Sequence, residues 1–232
     1  MTGRGVTARV DAFLFDAGGV LVLPDPTVLG PTLVPYGGST DLEAHRRAHY
    51  AGMATKSEQG AEEKDWRAYD RTYVQAVGVA DGDADEAALV LGRTRSPWLW
   101  RYPVASSVEA LRALHDRGVP IGVVSNAAGQ IEAVLRRMHV CQLGEGDGVP
   151  MRCIVDSHVV GVAKPDPHVF DSALEILGLL PERIAYIGDS VTMDIGGARA
   201  AGLLPVLIDP FDDHAGADFE RVKDLGELLA WI

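Results

Sequence analysis

The chain has 232 residues, 47% of them hydrophobic and 23% charged, with a formal net charge of −12. That length admits one large domain or a core with a smaller insertion, and the composition is globular, which excludes disordered and fibrous classes. The acidic balance excludes general nucleic-acid binding, which needs a basic surface to displace counterions, and no apolar run reaches the roughly 20 residues that span a bilayer. An anionic substrate is not excluded, because a local cation can reverse the potential inside one cleft. Any phosphate site is therefore expected to depend on a bound metal ion.

In chain order, the segment 1–9 lacks the apolar stretch of a secretory signal, since Val10 is followed at once by Asp11. Short apolar runs at 12–15, 121–124, 153–155, 184–187 and 206–208 read as strands buried on both faces, as in a parallel sheet covered by helices. Helical patterns alternate with them. Ser106 to Glu109 reads as a capping box, with Gly118 beyond the last turn. Pro165 and Pro167 introduce a helix over 169–177 that closes at Gly178, and another over 196–201 ends at Gly202. The alternation predicts a doubly wound α/β domain with right-handed crossovers. Residues 25–100 break this rhythm, with helix-favouring stretches at 45–54, 62–77 and 84–91 and no buried-strand run. They are too long for a loop and are expected to form an inserted helical subdomain, entered near Pro24, Asp25 and Pro26 and left through 97–103. The core is then 1–24 with 101–232, and 144–150 is a surface loop.

In an open parallel sheet, ligands bind where strands deliver their C-terminal ends. Asp16 follows the first run, Ser125 and Asn126 the second, and Asp189 the fourth, with Asp194 five residues on; Lys164 lies in the loop after the third. Asp16, Asp189 and Asp194 placed together repel unless protonated or neutralised by a cation. All-oxygen ligation without a nearby histidine or cysteine favours Mg2+. Magnesium and Lys164 would offset the charge of a phosphoryl group, Ser125 and Asn126 can donate to its oxygens, and a carboxylate held there can attack phosphorus.

These residues also carry a resemblance. Phe15-Asp16-Ala17-Gly18-Gly19-Val20-Leu21 resembles the first motif of the haloacid dehalogenase-like superfamily, and Val124-Ser125-Asn126 the second. Lys164-Pro165-Asp166-Pro167 is similar to the third, and Gly188-Asp189-Ser190-Val191-Thr192-Met193-Asp194 to the fourth. The set occurs in family order, and the resemblance spans residues 10–230. It implies a Rossmann-like core with the helical insertion as a cap over the site. Asp16 is implied as nucleophile and metal ligand, the Gly18 carbonyl and Asp189 as further ligands, and Asp194 as a group beside the metal, directly or through water. Ser125 and Lys164 would hold the phosphoryl group. The implied substrate is a small phosphorylated metabolite.

The chain departs from the family's phosphatase pattern at Gly18, where those enzymes carry the aspartate that protonates the leaving oxygen. Such a group contributes about 10²–10⁴-fold. Three readings follow: a working phosphatase whose acid comes from the cap or water, a metal-independent carbon–halogen hydrolase, and a non-hydrolytic protein that binds a phosphorylated ligand or another protein. His45, Arg46, Arg47 and His49 are expected on a solvated helix face; a histidine there replacing the missing acid is the other reading. Asp25 reads as a turn residue before Pro26. Trp98 and Trp100 are expected to pack between cap and core, and Trp66 and Tyr69 inside the cap. Cys141 and Cys153 form no CxxC pair and are expected buried and inert, pointing to the reducing cytoplasm.

Overall fold

The structure, a computed structural model, describes residues 10–60 and 64–232. The segment 1–9 and the first two residues of the helix expected over 62–77 lie outside the described residues. The described elements begin with strand β1 (Ala12–Phe15), strand β2 (Val22–Pro24), and helices α1 (Pro26–Leu33), α2 (Leu42–Glu58), α3 (Arg67–Ala76) and α4 (Ala84–Thr94). Strand β3 (Trp100–Pro103), helix α5 (Ala105–Asp116), strand β4 (Ile121–Ser125) and helix α6 (Ile131–Arg137) follow. Next come β5 (Cys141–Leu143), β6 (Val149–Met151), β7 (Ile154–Asp156), α7 (Ser157–Val160) and α8 (Asp171–Leu177). The chain ends with β8 (Ile184–Gly188), α9 (Gly196–Ala200), β9 (Leu204–Ile208) and β10 (Glu220–Val222).

Among the described residues, a parallel sheet orders six strands as β10-β9-β8-β1-β4-β7. Its central strands are apolar because both faces are covered: every residue of β1, β4 and β8 is buried. Alternation along β1 divides them, with Phe13 and Phe15 in one apolar cluster and Ala12 and Leu14 in another across the sheet. From β1 the chain runs out through β4 to β7, then returns to the other side of β1 as β8, β9 and β10. This reversal makes a crevice at the carboxyl ends of β1, β4 and β8.

Helices α1–α4 enclose a separate apolar cluster that includes Leu29, Leu33, Tyr69, Tyr73 and Leu91. The chain leaves and re-enters the sheet domain through the antiparallel pair β2–β3. Helix α2 docks on the core at several points. The Tyr50 hydroxyl donates to Gly19 O at 2.7 Å, Arg47 makes a two-pronged pair with Asp213 at 2.6 and 2.7 Å, and Val191 N donates to Ser57 Oγ at 3.3 Å.

Several local expectations are revised. Helix α1 lay unpredicted in the proline-rich entry; Pro26 takes its first turn and Asp25 is its N-cap, accepting from Thr27 N at 3.0 Å. The capping box does not form: α5 starts at Ala105 after Val104 with no side-chain cap, and Ser107 donates instead to Val20 O at 2.7 Å. The loop expected over 144–150 is shorter, because Val149 opens β6. Trp98 is 49% exposed, whereas Trp100 packs against both the core and cap clusters, so only one of the pair joins the two. His45 and His49 are 3% and 2% exposed, which overturns the solvated face. His45 bonds Tyr73 Oη and Ser39 O inside the insertion, at 2.7 and 2.9 Å.

Candidate active site

Each strand end delivers one part of the site. Asp16 leaves β1, Ser125 ends β4, and Asp189 follows β8 with Asp194 one tight π-type turn later. Glycines let the chains approach: a Cβ on Gly19, whose φ is +69°, would stand 1.9 Å from Asp189 Oδ2, and one on Gly188 would stand 2.1 Å from Asp194 Cγ. Asp16, Asp189 and Asp194 are buried and offer ligand oxygens within 4.8 Å of one another. The structure therefore brings together the three predicted carboxylates, with Gly18, Ser125, Asn126 and Lys164 lining the same cavity of about 490 Å³.

Lys164 answers part of the negative charge. Its Nζ lies 2.9 Å from Asp16 Oδ1 and 2.6 Å from Asp194 Oδ1, and it donates to the Tyr186 hydroxyl at 2.7 Å. Tyr186, an unpredicted polar group in an apolar strand, also donates to Val124 O at 2.8 Å. Asp194 Oδ2 accepts from the backbone N–H of Asp189 and Ser190, at 3.1 and 2.9 Å. Burial pushes the Asp16 carboxyl up to about 7; the Lys164 charge opposes this, and Asp194 and Asp189 add to it. Burial also raises Asp189, against the nearby His49. The Lys164 ammonium is held above its usual range by Asp16 and Asp194 despite its own burial.

One cation against three buried carboxylates is a deficit. Asp16 Oδ1 is buried and, among the described residues, lacks a well-angled hydrogen-bond donor even with Lys164 close by. An all-oxygen donor set with unmet negative charge fits a hard divalent cation. Both Asp194 oxygens are already engaged, so Asp16 and Asp189 have the freer ligand atoms.

The structure revises two site readings. Asn126 was expected to donate to a phosphoryl oxygen, but both ends of its amide are committed to Lys164. Its Nδ2 donates to Lys164 O at 3.0 Å and its Oδ1 accepts from Lys164 N at 2.8 Å. It sets the lysine's backbone instead. The expectation of no nearby histidine also fails: His49 Nε2, from the insertion, lies 3.0 Å from Asp189 Oδ2, and its Nδ1 lies 2.9 Å from Tyr69 Oη. A carboxylate acceptor implies the Nε2–H tautomer, with Nδ1 accepting from the tyrosine. The contact joins residues 140 positions apart. Tyr69, 20 positions from His49, sits on a different helix, so no helical period pointed to the arrangement.

At Gly18, a Cβ would meet Trp100 Cδ1 at 3.2 Å and Nε1 at 3.4 Å, with Asp16 Oδ2 at 4.0 Å. The volume of a side chain at position 18 therefore faces the nucleophile candidate, and the Trp100 indole borders it.

Known proteins match this architecture. The model of a haloacid dehalogenase-like hydrolase family matches residues 10–202. A phosphoserine phosphatase from Thermus thermophilus is 33% identical over 164 residues, covering 68% of this chain and 61% of its own. A glyceraldehyde 3-phosphate phosphatase from Methanopyrus kandleri is 30% identical over 155 residues, covering 62% and 63%. The chain thus spans about three-fifths of the length of each of these relatives. Among solved structures, a HAD phosphatase from Thermococcus onnurineus aligns with TM-score 0.58 and 20% identity over 95% of this chain and 97% of its own. A dehalogenase with an intermediate complex gives 0.59 and 18% over 98% and 99%. These structural likenesses bear on the fold alone. Strand order, the ordered motifs and the match over 10–202 agree, and the chain belongs to the haloacid dehalogenase-like hydrolase family.

Proposed function

We propose that this protein is a magnesium-dependent phosphatase of small phosphomonoesters, with Asp16 as nucleophile and residues 25–100 as a cap over the site. The observation that carries this reading is the buried cluster of Asp16, Asp189 and Asp194 with Lys164 paired to two of them. A metal-independent carbon–halogen hydrolase has no need of Asp189 and Asp194 beside the nucleophile. The two relatives named as phosphatases support phosphate esters as the substrate class.

In this reading Asp16, the Gly18 carbonyl and Asp189 would hold magnesium, with Asp194 beside them. A bound ion there would supply positive charge for the phosphoryl oxygens. Lys164 and Ser125 bind those oxygens, and Asn126 keeps Lys164 in place. An Asp16 oxygen attacks phosphorus as the bond to the leaving alcohol oxygen breaks, giving an aspartyl-phosphate. Water then attacks that phosphorus, releasing phosphate and restoring the carboxylate. With glycine at 18, leaving groups that need little protonation react best, so aryl esters are preferred over alkyl esters. Among the described residues no helix is long and apolar enough to cross a membrane. The buried thiols Cys141 and Cys153 suit a reducing compartment, which we take as the cytoplasm.

The test is hydrolysis of an aryl and an alkyl phosphate, each with magnesium and with EDTA. Metal-dependent release of phosphate, faster for the aryl ester and lost in Asp16→Asn, is expected. Metal-independent halide release from a haloacid would replace this reading with the dehalogenase one. Absence of any turnover alongside phosphate-ligand binding would favour the non-hydrolytic one.

A further inference from the structure

Glycine at position 18 leaves a departing alcohol oxygen without a neighbouring acid, and that oxygen gains negative charge as its bond to phosphorus breaks. A fixed donor beside position 18 would meet that charge. Several polar side chains of the cavity are already committed. His49 is held between Asp189 and Tyr69, and the Asn126 amide is spent on Lys164. Gln130 Nε2 donates to Pro97 O at 2.9 Å, and its Oε1 accepts from Ala128 N at 2.9 Å.

Trp100 differs from these. It lines the cavity, and the atoms nearest a Cβ built at position 18 are its Cδ1 at 3.2 Å and Nε1 at 3.4 Å. The edge of the indole that carries the N–H therefore borders this space, with Asp16 Oδ2 4.0 Å from the same point. Among the described residues Nε1 engages no acceptor, yet it is not one of the buried unpaired atoms, and the residue is half-buried. The ring is fixed from several sides. Trp100 pairs with Pro24 across the β2–β3 ribbon, its ring meets Trp66 with centroids 5.7 Å apart, and it packs against both the core and cap clusters. An indole N–H can only donate, and one held in place beforehand costs no reorganisation during the reaction.

We propose that the Trp100 indole N–H donates a hydrogen bond to the bridging oxygen of a bound phosphomonoester and stabilises it as it leaves. This rests on the phosphatase reading and deepens it: Trp100 stands in for the missing acid as a donor, not as a source of the proton. As an Asp16 oxygen bonds to phosphorus, the leaving oxygen departs with the bonding pair, held by the N–H, and takes its proton from water. The contact matters most where charge on that oxygen is largest, in alkyl esters. It matters least in aryl esters, whose ring spreads the charge.

Two measurements on the full chain with magnesium test this. The first is kinetic. Trp100→Phe keeps an aromatic ring and removes the N–H. It is expected to lower kcat/KM for an alkyl phosphate roughly 10- to 100-fold, the range of a hydrogen bond to a charged group, and for a nitrophenyl phosphate about threefold or less. Equal losses for the two esters, as packing damage alone would give, overturn the proposal. The second keeps Trp100 in place and uses an Asp16→Asn background, so that no ligand is consumed. The chain has four tryptophans, hence four indole N–H signals in a nitrogen–proton NMR spectrum. Trp66→Phe, Trp98→Phe and Trp231→Phe assign three of them and leave Trp100 by elimination. The ligands are an alkyl phosphate and the phosphonate of equal length, in which a methylene replaces the bridging oxygen. The Trp100 signal is expected to move further downfield with the phosphate than with the phosphonate. The same position with both ligands overturns the contact, whether or not turnover is seen. Phosphate release by the unaltered chain is read separately, and its absence counts against the phosphatase reading.

Discussion

At position 18 the backbone runs beside Asp16, and the space a side chain would take is bordered by the Trp100 indole. A carboxylate there would stand near Asp16 Oδ2, where a leaving oxygen needs a proton, but its Cβ would press on Trp100 Cδ1 at 3.2 Å. The ring must give by a few tenths of an ångström, which a half-buried side chain on a two-stranded ribbon can do. Gly18→Asp is therefore expected to raise alkyl phosphate turnover by about tenfold or more, within the range of general acid catalysis. Steady-state kinetics of the variant check this; unchanged or lower alkyl turnover would show that another group already supplies the proton. His49 bears on the same site from the insertion. By donating Nε2–H to one oxygen of Asp189 it leaves the other to face a cation, as partners of ligating carboxylates do. His49→Ala is expected to weaken magnesium binding about 10- to 100-fold, read by titration of the ion against the protein's thermal stability. Tighter binding in that variant would mean that His49 competes with the ion for Asp189.

At the scale of elements, the strand ends were legible because apolar runs buried on both faces have a plain signature, and the residue after each run is fixed by chain geometry. Asp16, Ser125 and Asp189 stand where that rule puts them. Helix α1 was hidden by its prolines, which suggest extended chain but are also compatible with a first helical turn. The joint at the start of the insertion depends on Asp25. It caps α1 through Thr27 N and accepts from Arg101 Nε at 2.8 Å, tying the entry strand to the exit strand. The carboxyl is held below its usual range by Thr27 and Arg101, although burial opposes this. Asp25→Ala is expected to destabilise the protein by about 1–2 kcal/mol, the range for a lost N-cap. Urea unfolding monitored by circular dichroism measures this, and an unchanged midpoint would contradict the joint's role. What stayed illegible depends on how α2 is rotated against the sheet. A helical histidine can face solvent, its own subdomain or a neighbour. The docking of α2 on the sheet, through Tyr50 on Gly19, Arg47 on Asp213 and Ser57 on Val191, turns His49 toward Asp189, while its packing on α3 sets His45 against Tyr73. Asn126 likewise reads as a ligand for phosphate until the fold spends both ends of its amide on Lys164.

For the whole molecule, charge explains the division of labour. A net charge of −12 would repel an anionic substrate, yet the site gathers three of the chain's four lysines and a buried set of carboxylates suited to a divalent cation. The core supplies the acidic cluster and Lys164, and the insertion supplies His49, Lys56, Lys64 and the aromatic wall. Residues of both parts thus line one cavity, and the two are joined where α2 meets the sheet. The central claim is that Asp16 takes up the phosphoryl group. The most direct measurement is acid quenching of the protein during turnover of an aryl phosphate with magnesium, followed by mass spectrometry of its peptides. The account predicts one added phosphoryl group on the peptide containing Asp16, absent with EDTA and absent in Asp16→Asn. Steady turnover with that peptide unmodified, or a phosphoryl group on another residue, would contradict it.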